Sequence, residues 1–385
     1  MSQFFAGNQI TLLRNGTEYF PALEAAIEGA RYEIYLQVYI FALDQTGLRI
    51  GEALKRAALR GVFVSVLLDG FGCKDLPKTY IQALEKAGVG VLIFRPKISP
   101  WTLKRSRLRR MHRKMTVIDG RVGFVGGINI IDDFNTPQQV PPRVDYAVQV
   151  EGTLLPSMRA SMQLLWKALC RVHLRKVRPS KLANDFAQTI TGDMRAAFLL
   201  RDNLWYRNEI EDAYLSAIKS AKTEILIANA YFLPGLRFRH ALRDAAKRGV
   251  KVIILLQGQV EYVLLDFASH ALYSSLLRQG VKIYEYHKSF MHSKVAVIDG
   301  CWAMVGSANI DPFSFLLSRE ANIVVKDVGF ALELRDDLQQ SIEKGANKIS
   351  AGEWAQQHYI KRFFSWLAYG FVRLMIGIAG YSDHH

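Results

Sequence analysis

His112–Ile130 reads HRKMTVIDGRVGFVGGINI, and His292–Ile310 reads HSKVAVIDGCWAMVGSANI. Set against each other without a gap, at an offset of 180, they agree at ten of 19 positions: His, Lys, Val, Ile, Asp, Gly, and then Val, Gly, Asn, Ile. Further matches precede them in the same order. Leu12–Asn15 answers Leu199–Asp202, Glu33–Phe41 answers Glu224–Phe232, Ala57–Gly70 answers Ala245–Gly258, and Ala87–Val89 answers Gln279–Val281. Several blocks in one order mean duplication rather than chance. The chain is two copies of one unit, roughly 10–150 and 197–330, which predicts repeats at 1–153 and 197–345.

Each copy alternates helical and extended patterns. In the first, helices are expected at Pro21–Ala30, Ile50–Arg60 and Lys78–Lys86, with Gly61 and Gly88 as terminators. Apolar runs at Ile34–Phe41, Val62–Leu68 and Val89–Phe94 read as buried strands, and Met115–Ile118 as a central one. Strands alternating with helices predict an α/β fold: two tandem units with a mostly parallel sheet, helices on both faces, and one active site between them. Leu154–Arg178 reads as a helical basic linker, assigned to 154–196.

Each copy carries H-x-K-x4-D: His112, Lys114 and Asp119, then His292, Lys294 and Asp299. Gly126–Gly127–x–Asn129 and Gly306–Ser307–x–Asn309 follow. Residues i and i+2 of a strand share a face, so each His and Lys project together. Small residues let a ligand approach the backbone, and Asn can donate to an oxygen. Two His, two Lys and two Asn around one cavity suit a tetrahedral phosphate. One His attacks phosphorus while the other protonates the leaving oxygen, and the roles reverse when an alcohol or water arrives. Lys and Asn stabilise charge on the non-bridging oxygens, so the chemistry needs neither metal nor cofactor.

The doubled motif resembles that of the phospholipase D superfamily, whose H-x-K-x4-D pair builds one site across two α/β halves. Met111–Lys114, Asp145–Val148, Asn229–Gly235 and the runs Gly306–Ser314 and Arg319–Asn322 look like the bacterial cardiolipin synthases of that superfamily, of the shorter type without two N-terminal membrane helices. The resemblance implies that His112 is the nucleophile, forming a phosphatidyl-histidine, and that His292 is the general acid and then base. It implies that Lys114, Lys294, Asn129 and Asn309 hold the phosphate, and that Asp145 and Glu320 partner the histidine rings. Asp119 and Asp299 complete the motif, more as hydrogen-bond anchors than as chemical participants. Gly127 stands where the second copy has Ser307, so one half-site lacks a hydroxyl donor.

Two surfaces bear on the substrate. Lys104, Arg105, Arg107, Arg109 and Arg110, with Arg113 and Lys114, place seven cations in 11 residues before and through the first motif. Beside a phosphate site such a run attracts an anionic substrate or membrane, and Trp101 and Leu103 could dip into the interface. The apolar run Phe363–Ala379 is short for a bilayer span and carries Arg373 near its centre. It predicts an interfacial or shallowly inserted helix within a membrane-associating segment at 346–385, the alternative being a helix packed on the domain.

Composition narrows the class. Lys plus Arg is 50 against 35 Asp plus Glu, giving +15, and 50% of residues are hydrophobic. That excludes disorder and favours polyanionic partners. Cys73, Cys170 and Cys301 are far apart, which excludes a disulfide framework or cysteine zinc site and suits a reduced cytoplasmic setting. Met1–Asn8 does not read as a signal peptide. The expected activity is phosphatidyl transfer between phospholipids, phosphatidylglycerol first among them, at the cytoplasmic face of an anionic membrane. The same site could serve a phospholipase D hydrolase or a nuclease. The apolar C-terminus disfavours nucleic acid.

Overall fold

The computed structural model describes residues 3–96, 109–176, 189–202, 205–355 and 359–378. Lys104, Arg105, Arg107, Trp101 and Leu103 lie outside them. The first repeat contributes β1 (Phe5–Arg14), β2 (Glu33–Val38), β3 (Phe63–Asp69), β4 (Gly90–Phe94), β5 (Met115–Ile118), β6 (Val122–Gly126), β7 (Arg143–Val144) and β8 (Tyr146–Gly152). The second contributes β9 (Met194–Arg201), β10 (Glu224–Asn229), β11 (Lys251–Gln257), β12 (Lys282–Tyr286), β13 (Phe290–Met291), β14 (Lys294–Ile298), β15 (Trp302–Gly306), β16 (Glu320–Lys326) and β17 (Ala346–Lys348).

All but β7 and β13 form one 15-stranded sheet, ordered β17-β12-β11-β10-β14-β15-β16-β9-β1-β8-β6-β5-β2-β3-β4. The repeats meet at its centre, where β1 pairs antiparallel with β9. The fold is α/β and tandemly duplicated, as expected, but the sheet is mixed rather than mostly parallel. Within that sheet, among the described residues, parallel pairing joins only β2–β3–β4 and β10–β11–β12. The H-x-K strands β5 and β14 instead begin antiparallel hairpins. Asp119–Gly120 and Asp299–Gly300 turn them, every one of the four at positive φ (52°, 61°, 52° and 60°). Asp-Gly is a strong two-residue hairpin signal, because this turn requires φ > 0 at both positions. A tight turn forces antiparallel pairing where a helical crossover would have allowed parallel.

Helices cover both faces. Asn15–Glu28, Gln45–Leu59 and Lys78–Lys86 pack one face of the first repeat, burying Leu23, Ile27, Ile50, Leu54 and Leu84 against Ile34, Leu36 and Val66. The first of these starts before Pro21, which lies inside it. Glu209–Ser220, Leu236–Lys247 and Val263–Arg278 do the same for the second repeat. The opposite face is one continuous core, closed by Leu155–Val172 and Val328–Gly345.

The helix Leu155–Val172 was expected as a linker, yet it is a core element. Met158, Met162, Leu165, Trp166 and Cys170 are buried beneath it. Its Arg159 pairs with the buried Glu33 at the start of β2, and Arg335 of Val328–Gly345 pairs with Glu224 at the start of β10. The two helices are therefore equivalent members of the duplicated unit. At the other boundary, β17 pairs with β12, so the sheet continues past residue 345. The final helix, Tyr359–Ile378, packs on Val263–Arg278. Ser365, Ala368 and Val372 face inward, while Phe363, Phe364, Trp366, Leu367, Phe371 and Leu374 are exposed.

Candidate active site

The two repeats cross-brace each other just before their catalytic strands. Met111 bridges to Arg319, with His112 N donating to Arg319 O at 3.0 Å and Arg319 N to Arg110 O at 2.8 Å. On the other side β13 pairs with β7, and His292 N donates to Val144 O at 2.8 Å. Each motif histidine is thus pinned to the other repeat, directly beside that repeat's acidic residue.

The carboxylates are exchanged accordingly. His112 Nδ1 lies 3.0 and 3.1 Å from the two oxygens of Glu320. His292 Nδ1 lies 2.7 Å from Asp145 Oδ2. A carboxylate only accepts, so each Nδ1 carries the proton and Nε2 keeps the reactive lone pair. Burial presses both imidazoles below 6.5, and the charges of Lys114 and Lys294 add to that. Asp145 is pushed up to about 6 by burial, with Lys294 opposing. At neutral pH both rings are therefore neutral in the empty site.

Lys114 and Lys294 fold back on their own motifs, donating to the carbonyls of His112 and His292 respectively. Burial pushes Lys114 down to about 7 and Lys294 to about 8, and each feels both Asp145 and Glu320. Two lysines and two histidines that sense one another face one space with an unmet demand for negative charge. The edge of the Tyr39 ring lies 4.7 Å, centroid to centroid, from His112, and Lys114 Nζ sits 5.2 Å from that ring's centroid. No local sequence pattern points to this contact.

Asp119 and Asp299 sit at the far ends of β5 and β14 from the histidines. Asp119 accepts from the backbone N–H of Arg31, Tyr32 and Glu33, and Asp299 from Lys222, Thr223 and Glu224. They anchor the sheet and do not touch the reacting centre. Asn129 Oδ1 accepts from Ile40 N at 3.0 Å, whereas Asn309 Oδ1 is buried without a partner among the described residues.

Gly127 and Ser307 differ for a reason of space. A Cβ on Gly127 would stand 2.2 Å from Asp145 Oδ1. The longer Glu320 leaves room for Ser307, whose hydroxyl donates to Glu320 Oε2 at 2.5 Å and accepts from Ala321 N at 3.0 Å. Ser307 thus orients the carboxylate that orients His112, and its hydroxyl proton is already committed there rather than to phosphate.

Arg113 does not belong to the approach surface. It is 2% exposed, and it donates to Glu320 O at 3.2 Å and Ser161 Oγ at 3.1 Å. Strand alternation turns it away from His112 and Lys114. Arg109 and Arg110 do lie at the mouth, joined there by Arg95 and Arg319, which the sequence reading missed. Burial, with repulsion from Arg109, Arg319 and Arg110 added to it, lowers Arg95. Buried Asp69 accepts from Met111 N at 2.8 Å and holds the segment leading to His112.

A family profile described as "Cardiolipin synthase, PLD-like domain" matches residues 23–136 and 214–342. Cardiolipin synthase B of Salmonella typhi is 36% identical over 389 residues, covering 98% of this chain and 91% of that protein. The chain belongs to the cardiolipin synthase family of phospholipase D-like proteins. Cardiolipin synthase 1 of Bacillus cereus is a more distant relative within it, 29% identical and covering 94% of this chain and 71% of that one. The fold is shared with a phosphatidylserine synthase from Haemophilus influenzae (TM-score 0.68, 14% identity, 99% and 97% of the two chains). It is also shared with a polyphosphate kinase from Porphyromonas gingivalis (TM-score 0.57, 14% identity, 89% and 49%).

Proposed function

We propose that the chain is a cardiolipin synthase, a phosphatidyltransferase that moves a phosphatidyl group from one phospholipid to a hydroxyl of phosphatidylglycerol and releases a small alcohol such as glycerol. The observation that carries this reading is the exchanged pairing His112–Glu320 and His292–Asp145, which gives two neutral imidazoles with Nε2 free over one cationic space.

An entering phosphodiester offsets Lys114 and Lys294 and so raises the proton affinity of His292, whose Nε2 takes up a proton from solvent as the substrate binds. His112 Nε2 attacks phosphorus. The bond to the leaving alcohol breaks, and that oxygen takes the proton from His292 Nε2. The accepting hydroxyl then gives its proton to His292 and attacks phosphorus, the P–N bond breaks, and His112 is regenerated. Lys114, Lys294, Asn129 and Asn309 hold the non-bridging oxygens. Arg95, Arg109, Arg110 and Arg319 draw the anionic lipid to the mouth.

No described helix is long and apolar enough to cross a membrane. The exposed aromatic face of Tyr359–Ile378 suits shallow insertion at the cytoplasmic surface of an anionic bilayer. It packs on Val263–Arg278, beside whose first turn Val260, Tyr262, Val263 and Leu264 are also exposed at the mouth of the site. Exposed apolar side chains on these two packed helices suit contact with lipid, and an entrance that restrains water favours transfer over hydrolysis.

The test is purified protein with phosphatidylglycerol in mixed micelles, read by lipid mass spectrometry. Cardiolipin with free glycerol supports the reading. Phosphatidic acid alone would make the protein a hydrolase.

A further inference from the structure

The duplication breaks beside the first histidine. Glu33–Phe41 aligns with Glu224–Phe232, so Tyr39 stands where the second repeat has Ala230. Tyr39 follows the end of β2 and lies in a fitted bed. Its carbonyl accepts from Cys73 Sγ at 3.3 Å, and a Cβ on Gly72 would stand 2.0 Å from that carbonyl oxygen and 3.1 Å from the ring. Gly72 aligns with Val260, so the second repeat lacks both the ring and the glycine that admits it. Asp69 takes the N–H groups of Phe71 and Gly72 on one oxygen and that of Met111 on the other, which ties the bed to the approach to His112.

Tyr39 meets two parts of the first motif at once. Its ring and that of His112 are 4.7 Å apart at an interplanar angle of 67°. Lys114 Nζ donates to His112 O at 2.9 Å and lies 5.2 Å from the Tyr39 centroid. Lys294 also donates to its own histidine's carbonyl, but Ala230 offers it no ring, and the aromatic beside His292 is Phe290, near-parallel at 6.2 Å.

We infer that Tyr39 is a positioning residue for the covalent step, holding the His112 imidazole and the Lys114 ammonium together and so favouring His112 as the attacking histidine; this rests on the transfer reading above. An ammonium near an aromatic face is held by the ring quadrupole, most strongly where water is excluded. A T-shaped contact resists rotation of the imidazole away from the line of attack. With one N–H on His112 O and one side against Tyr39, Lys114 keeps a donor for a non-bridging phosphate oxygen.

The test is kcat/KM for nitrophenol release from phosphatidyl-p-nitrophenol in mixed micelles. It reads formation of the phospho-histidine alone, because nitrophenol leaves in the first irreversible step. No release by the wild type would sink the transfer reading itself. Tyr39→Leu keeps an apolar side chain and removes the ring, and it lowers kcat/KM about 10–30-fold. It also moves the basic limb of kcat/KM to lower pH by about half a unit or more, because Lys114 loses a contact that favours its charged form. Glu320, Lys294, Asp145 and Asp69 act on Lys114 as well, and all four remain in the variant. Tyr39→Phe restores the ring and recovers both the rate and the limb. The position of the limb does not depend on how much enzyme folds, so a folding defect does not mimic it. A limb unmoved in Tyr39→Leu, or a Tyr39→Phe variant that behaves as Tyr39→Leu does, overturns the inference.

Discussion

His112 of the first repeat holds its ring through Glu320 of the second, 208 residues away, at 3.0 Å. Asp145 of the first repeat does the same for His292 at 2.7 Å. Neither repeat can assemble a working histidine alone, which gives a physical reason for the duplication to be kept on one chain with one shared sheet.

Replacing either carboxylate by its amide therefore strikes the other repeat's histidine. Glu320→Gln and Asp145→Asn can offer an N–H to Nδ1, stabilise the wrong tautomer and occupy Nε2 with the proton. The expected loss is about 10²–10⁴ in kcat, the usual share of a positioned acid–base group, with little change in KM. Steady-state kinetics on each variant check it. A loss confined to KM would contradict the role.

Gly127 and Ser307 should not tolerate exchange equally. Gly127→Ser drives a Cβ into Asp145 at 2.2 Å and displaces the partner of His292, so activity falls close to that of Asp145→Asn. Ser307→Gly removes one hydrogen bond to Glu320, worth about 1.5–3 kcal/mol, and predicts about a 10–100-fold loss in kcat. Equal, small effects from both would refute the spatial argument.

The lysines set the basic limb of the pH profile. Lys114 at about 7 and Lys294 at about 8 lose charge in the empty enzyme as pH rises through those values. Affinity for an anionic lipid falls with them, so kcat/KM declines across this window. Bound phosphodiester holds the protons on, and kcat declines later. The same shifts act on stability in the opposite sense. Between these values and the ordinary 10.5 the unfolded chain binds more protons than the folded one, so stability without anion rises with pH there. Inorganic phosphate, which stabilises most below pH 7, should flatten that rise. A kcat/KM independent of pH from about 6.5 to 9 would exclude this account.

Arg159 predicts a stability effect without a chemical one. Its partner Glu33 is fully buried, and Arg159→Met leaves that charge unpaired in the core. Urea unfolding should show a loss of about 3–5 kcal/mol. Asp119 makes three backbone bonds at the same place, so Asp119→Ala belongs with this variant and not with the histidines.

The C-terminal helix should matter for membranes alone. Serine at Phe364, Leu367 and Phe371 together should abolish flotation with anionic liposomes and spare activity on lipid dispersed in detergent. Equal loss in both assays would assign the helix to folding instead.

Much of this site is legible in the sequence, because its chemistry repeats at a fixed offset. The two motifs and the small residues after them stand out once the copies are aligned, whereas the acidic pair Asp145 and Glu320 sits at a different offset and is reached only through the resemblance to the phospholipase D superfamily. Which acid serves which histidine is not legible. That is decided by how two units share a sheet, and no local pattern encodes it. Other features carry a local signal. Asp119–Gly120 belongs to the motif, and the same dipeptide also encodes a hairpin turn. Arg113 stands among the approach cations in sequence, though alternation between His112 and Lys114 turns it the other way. Arg159 falls in the basic segment after the first repeat, and its partner, Glu33, lies 126 residues earlier. The cations Arg95 and Arg319 gather at the mouth only when the repeats meet.

The most direct test is where the phosphatidyl group becomes attached. His292→Ala, given phosphatidyl-p-nitrophenol and quenched in alkali-stable conditions, should accumulate a phosphatidyl adduct on the peptide carrying His112, because the activated leaving group needs no acid and the accepting hydroxyl has no base. His112→Ala should give none. An adduct on His292 in His112→Ala, or no adduct in either variant while nitrophenol is still released, would contradict a single shared site with divided histidine roles.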